Sequence, residues 1–240
     1  MAVHDAVAEH FKAGERIVYH GNYIGYGTHC APCIDEILAF RRQILAVPGV
    51  QPSDLTYLRG VQEEMLRQLL QIAFLPHATD TIGWMLENGL LAILESYGFC
   101  HEDALQACRA GVTGLTRWTG QIREKIRTSP GHEIFFKSLK RAAHTDLDGT
   151  YPMLFVHAGL DANRALYDQG DAFWWESEKF QSLTRAYKPF EKVIRGYDPA
   201  HRGSELNCIK ATIDDGCGFG GALTTVAFTA DGSTGECFAA

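Results

Sequence analysis

Apolar and polar positions follow two different periods along the chain, and the switches between them mark out the elements. "VHDAVAEHF" keeps helical spacing, "RIVYH" is a short β-branched and aromatic run, "CIDEILAFRRQILAV" is an amphipathic helix, and "DLTYLRG" is a strand that stops at a glycine. Strand, helix, strand is βαβ grammar and predicts a sheet with helices packed on it. Helical spacing then persists from "VQEEMLRQLLQIAF" through "ILESYGF" and "EDALQACRAGVTGLTRWTGQIREKI" to "HEIFFKSLKRAA", which predicts a helical insertion or cap over about 62–145. Beyond it "MLFVHAG" reads as a buried strand closed by His and Gly. The aromatic-rich "DAFWWESEKF" follows, then the strand "EKVIRG" and further strands in "NCIKATIDDG", "GALTTVAFTADG" and "GECFA".

Composition narrows the class. With 240 residues, 46% hydrophobic and 21% charged, the chain can bury one sizeable core, so a single domain over 1–240 is expected. A net charge of -7 and the lack of a Lys/Arg block argue against nucleic acid as a partner. Neither a membrane-length apolar run nor a signal-like amino terminus is evident, so the expected setting is cytoplasmic, without a membrane partner. Seven cysteines at irregular spacings fit reduced thiols better than a disulfide framework.

One stretch, "IVYHGNYIGYG", has the form of an active-site loop at a strand end, yet from Asn22 to Tyr26 it holds no carboxylate, histidine or cysteine. Its place in a longer order of motifs supplies a reason. The succession "HGNYIGYG", "YLRGVQEEML", "GWMLENGLLAILESYG", "FVHAGLDANRALYDQ", "IRGYDPAH" and "TIDDGCGFGGALTTVAF" resembles the bacterial serine/threonine-phosphatase-like branch of the calcineurin-like metallophosphoesterases, a group that also includes diadenosine tetraphosphate hydrolases. In that family the strand ends read GDxHG, GDxxDRG, GNHE, VHAG and GHT, followed by an IDTGAVYGGxLT-type strand pair. The resemblance covers almost the whole chain. It implies a four-layer α/β/β/α sandwich of two mixed sheets and a dinuclear metal centre, whose bridging hydroxide attacks phosphorus.

Carried over residue by residue, the family pattern is depleted. The first motif has no counterpart. Asn22 stands at the bridging aspartate, and Gly25, Tyr26 and Gly27 stand where DRG supplies a phosphate-binding arginine. Val61 replaces an asparagine ligand, Gln62 the general-acid histidine and Tyr197 a ligand histidine, while His157 of "VHAG" is kept. A valine coordinates nothing, and an amide is a poor bridge between two dications. The resemblance therefore implies a pseudophosphatase with no resident cofactor, kept as a binding or regulatory module for a protein or for a phosphorylated or nucleotide-like ligand. Its vestigial site is Asn22, Gln62, His157 and Tyr197, with His157 and Asn22 as the metal ligands if a metal binds and Arg59 as a phosphate contact.

Other readings stay open. Asn22 and Gly25 suit a tight turn, His157 a satisfied polar residue, Arg59 and Glu63 a salt bridge or helix start, and Tyr26, Tyr197, Trp174 and Trp175 a core. An active phosphoesterase, of the serine/threonine phosphatase or dinucleoside tetraphosphatase kind, would need an altered Mn, Fe or Zn site drawing on His157, His201, Asp198, Asp214 and Asp215. A third alternative is a thiol-based sensor: Cys30 and Cys33 have C-x-x-C spacing at a helix start, where the helix dipole lowers a thiol pKa. Finally, a strand at Arg16–His20 lacking the neighbour that GDxHG would provide is expected to form a solvated edge or to pair with a second copy in a homodimer.

Overall fold

A computed structural model describes residues 2–240. The first elements are α1 (Ala2–His10), β1 (Ile17–Tyr19), α2 (Cys30–Leu45) and β2 (Leu55–Tyr57). A helical run follows: α3 (Val61–Leu69), α4 (Ala78–Met85), α5 (Leu91–Ser96), α6 (His101–Arg109), α7 (Gly111–Thr128) and α8 (His132–Ser138). The last third holds β3 (Ala143–His144), β4 (Met153–Val156), α9 (Ala172–Trp175), α10 (Ser177–Gln181), β5 (Lys192–Arg195), β6 (Glu205–Leu206), β7 (Lys210–Thr212), β8 (Thr224–Phe228) and β9 (Thr234–Ala239). The protein is mixed α/β with several sheets, and among the described residues no helix is long and apolar enough to cross a membrane.

Two compact units divide the chain: Met1–Gly21, Phe40–Val61 and Leu139–Ala240 make the first, and Asn22–Ala39 with Gln62–Ser138 make the second. In the first, β1 and β2 pair in parallel, Ile17 opposite Leu55 and Tyr19 opposite Tyr57. β2 alone is the ladder partner of β1 within its sheet, while Leu58, just past β2, bridges to Lys140. A second sheet has the order β3-β4-β5-β7-β6, with a parallel centre and antiparallel edges. The apolar residues of its central strands are covered on both faces. Leu154, Val156 and Val193 pack on one side with Leu160, Phe173, Phe180 and Phe190, while Met153, Ile194 and Ala211 pack on the other with Tyr151, Phe155 and Phe228. Side chains of this size each contribute about 1.5–3 kcal/mol when withdrawn from water.

The β8–β9 hairpin turns at Asp231-Gly232, where the Asp231 carboxylate accepts the Ser233 N–H (3.0 Å) and the Thr229 hydroxyl (2.6 Å). These bonds hold the Asp231 carboxyl at about 2. Lys192, buried under the Tyr151 and Phe228 rings, ties the turn to β5 by donating to the Gly232 carbonyl at 2.7 Å.

In the second unit α7 buries Leu115, Trp118, Thr119, Ile122 and Ile126, the stripe its helical spacing predicts. The α4–α5 segment is less regular. A five-residue π turn over Leu86–Leu90 separates the two helices, with Asn88 and Gly89 outside helical geometry. Gln62 is the cause: its side-chain amide donates to the Asn88 carbonyl at 2.9 Å, and a Cβ at Gly89 (φ +105°) would meet that amide at 2.8 Å.

Candidate functional site

Each unit carries part of the residue set singled out by the motifs. In the second unit, the loop from Asn22 to Gly27 folds around a carboxylate. Glu63, in the first turn of α3 and nearly inaccessible to solvent, accepts the backbone N–H groups of Asn22 (2.9 Å), Tyr23 (2.9 Å) and Ile24 (3.3 Å). Successive N–H groups converging on one point make an anion-binding nest, and an internal anion fills this one. Asn22, at φ +57°, accepts the Gln62 N–H through Oδ1 at 3.1 Å and so caps α3. Gln62 Nε2 is spent on Asn88, leaving Gln62 Oε1 buried without a hydrogen bond among the described residues.

Cys30 and Cys33 open α2 in the same unit as reduced thiols. The Cys30 sulfur lies among backbone groups of Gly25 and Gly27, 3.4 Å from the Gly25 nitrogen. Burial pushes the Cys30 thiol up, and the Glu63 carboxylate adds to the shift. A helix start alone would pull it down, so desolvation outweighs the dipole here.

In the first unit, β1 and β4 end in a pair of imidazoles. His20 Nδ1 lies 2.8 Å from the Val156 carbonyl, and His157 Nδ1 lies 2.6 Å from the His20 carbonyl. Because each Nδ1 faces a carbonyl, each carries the proton, and both Nε2 atoms are acceptors. Burial lowers His20 to about 4 and His157 to about 3, so both are neutral across the physiological range. His157 is fully buried, its Nε2 makes no hydrogen bond among the described residues, and its ring stacks on Tyr197 at 5.2 Å and 14°. Close approach builds this region: a Cβ on Gly21 (φ +95°) would fall 2.4 Å from the Gly60 nitrogen, and one on Gly196 would fall 2.1 Å from the His20 Cβ. Arg59 is fixed by its backbone, its carbonyl accepting the Trp174 indole N–H at 2.8 Å and its N–H donating to Lys140 at 2.7 Å.

The acidic groups near the carboxy-terminal strand ends hold loops. Asp214 accepts the N–H groups of Asp198 (2.8 Å) and Gly216 (2.9 Å) and sits 3.3 Å from His201 Nδ1. Asp198 is paired with buried Arg195 at 3.2 Å and with Arg202 at 3.3 Å. Asp215 accepts from the Ser204 N–H and the Thr224 hydroxyl. Among the described residues no group of three or more His, Cys, Asp or Glu side chains is arranged to hold a metal ion. The chain matches no family model, no curated protein and no solved structure. The motif resemblance therefore rests on the quoted residues.

A dinuclear centre does not fit these donors. His157 Nε2 is a free acceptor, but Asn22 Oδ1 is engaged by a backbone N–H and Tyr197 lays its ring on the imidazole. What the arrangement offers chemically is neutral hydrogen-bond acceptors at a strand end. Two participants escaped the motif reading. His20 was signalled only by its place beside the Gly21-Asn22 turn, and Glu63, read as a helix start, is the anion around which the loop closes.

Proposed function

We propose that this chain is a degenerate metallophosphoesterase-like protein without phosphatase turnover, acting as a binding module for a protein or a phosphorylated or nucleotide-like ligand. Its two-stranded and five-stranded sheets are read as parts of a four-layer α/β/β/α sandwich. The order of the strand-end motifs supports that reading, as do the parallel β1–β2 pair and the parallel centre of the larger sheet. One observation carries the loss of activity: Asn22, at the place of the bridging carboxylate, spends its oxygen on the Gln62 N–H, while Glu63 fills the loop's own anion site. Losing a general acid or a metal ligand set costs several kcal/mol of barrier, and each 1.36 kcal/mol is about tenfold in rate.

The test is turnover of p-nitrophenyl phosphate and diadenosine tetraphosphate with and without manganese, alongside metal analysis of protein purified without chelators. No stimulated turnover and no bound metal are expected. Manganese-dependent hydrolysis that disappears in His157→Ala would overturn the proposal.

A further inference from the structure

We propose that a groove in the first unit binds a small organic anion carrying a planar ring. The groove, about 860 Å³, lies between the segments 161–167 and 182–190, and none of the vestigial-site residues Asn22, Gln62, His157 and Tyr197 lines it. Its volume suits a ligand-sized site. The inference therefore stands or falls independently of the phosphatase reading.

The two walls are locked together in advance. Gln169, fully buried, accepts the Asp161 N–H (2.8 Å) and donates to the carbonyls of Asp161 (2.9 Å) and Arg164 (3.0 Å) and to the Tyr187 hydroxyl (3.2 Å). Tyr187 in turn donates to the Arg164 carbonyl at 2.7 Å. Asp161 fixes the turn by accepting the Asn163 N–H, and it pairs with Lys179 (3.0 Å) and Arg164 (3.4 Å). A groove held this rigidly pays little ordering entropy when a ligand enters.

What lines it is charged one way. Arg164, Lys179, Arg185 and Lys188 line it with the single carboxylate of Asp161, in a chain whose net charge is -7. Lys179 also reaches Glu176, and Lys188 turns to Glu191, outside the lining. Arg185 makes no hydrogen bond or ion pair among the described residues, which leaves its guanidinium fork to hold a carboxylate or phosphate in bidentate fashion. Tyr167, 91% exposed and without a hydrogen bond among the described residues, supplies an aromatic face on the same groove, and Leu147 adds apolar surface. A cationic fork with an open ring and an aliphatic edge selects an anion with a flat apolar body. A bare ion would leave the ring unused.

The test uses isothermal titration of the full chain with adenosine 5′-monophosphate and with indole-3-acetate, against the ring-free controls phosphate and acetate and the uncharged controls adenosine and indole-3-acetamide. At least one ringed anion is expected to saturate with a Kd below about 1 mM, each control binding about tenfold more weakly or less. Binding of the nucleotide alone identifies a phosphate headgroup, and binding of the indole acid alone a carboxylate. Arg185→Gln and Tyr167→Ala, both at exposed positions, should each weaken binding about tenfold while leaving the thermal midpoint unchanged. The proposal is overturned if neither ringed anion saturates below about 10 mM, if a ring-free or uncharged control binds as tightly, or if both variants bind as the parent does.

Discussion

Acidification should unfold this protein through two imidazoles before any carboxylate takes part. His20 and His157 are held neutral, at about 4 and about 3, by burial, which outweighs their hydrogen bonds to the Val156 and His20 carbonyls. In the unfolded chain each titrates near 6.5. A histidine whose pKa is depressed on folding contributes stability that is complete above its unfolded pKa and is lost as pH falls toward its folded one. At about pH 5 the unfolded chain binds nearly two more protons than the folded one at these sites, a slope of about 2.7 kcal/mol per pH unit. Integrated from about pH 7 to about pH 5, each imidazole accounts for about 2 kcal/mol, and with His20 only partly buried the pair removes about 3 kcal/mol. That is a large part of an ordinary domain's stability. Depressed carboxylates such as Asp161, Asp215 and Asp231 act in the same direction, but only below the unfolded carboxylate range, so the interval from pH 6.5 to pH 5 isolates the histidines. Urea unfolding followed by tryptophan fluorescence at several pH values measures the slope, and His157→Gln should flatten it by about half. Stability that is level across this interval, or a slope the variant leaves untouched, would refute the account.

Two further predictions address the second unit. Replacing Glu63 by Gln turns an acceptor of three backbone N–H groups into one that presents a donor to them; a loss of about 3 kcal/mol in urea unfolding is expected, and a loss below about 1 kcal/mol would show that the Asn22–Ile24 loop does not close on this carboxylate. In native alkylation with iodoacetamide read by mass spectrometry, the buried Cys30, its thiol pushed up, should react after the exposed Cys100, Cys208 and Cys237; early modification of Cys30 would favour the thiol-sensor reading instead.

Most elements were legible because their periods were clean. The runs "RIVYH", "DLTYL", "MLFV" and "KVIR" are β1, β2, β4 and β5, and the helical spacing that begins at Val61 ends in α8 at Ser138. The expected insertion to about 145 overran the helices because "LKRAAH" is apolar enough to extend the pattern, whereas Ala143 and His144 pair with β4 in the sheet. The π turn at Leu86–Leu90 could not be read locally, since it arises from the Gln62 amide reaching Asn88 from a distant part of the chain. The same holds for the candidate site. Asn22 and His157 could be picked from motif order, but the bond from Gln62 to Asn22 and the bonds of His20 to the Val156 carbonyl and of His157 to the His20 carbonyl depend on contacts that no window of sequence displays.

The chain passes between its two compact units four times, after Gly21, Ala39, Val61 and Ser138. Neither unit is a continuous stretch, so neither can be cut out as a fragment without carrying a piece of the other or losing one of its own. Order of synthesis also matters. All residues of the helical unit have been made once Ser138 is added, while the end of β2 awaits a partner encoded much later, Lys140, about eighty residues after the Leu58 it bridges. During translation the growing polypeptide thus holds an early parallel pair before the five-stranded sheet exists, and the β8–β9 hairpin is the last part to be completed.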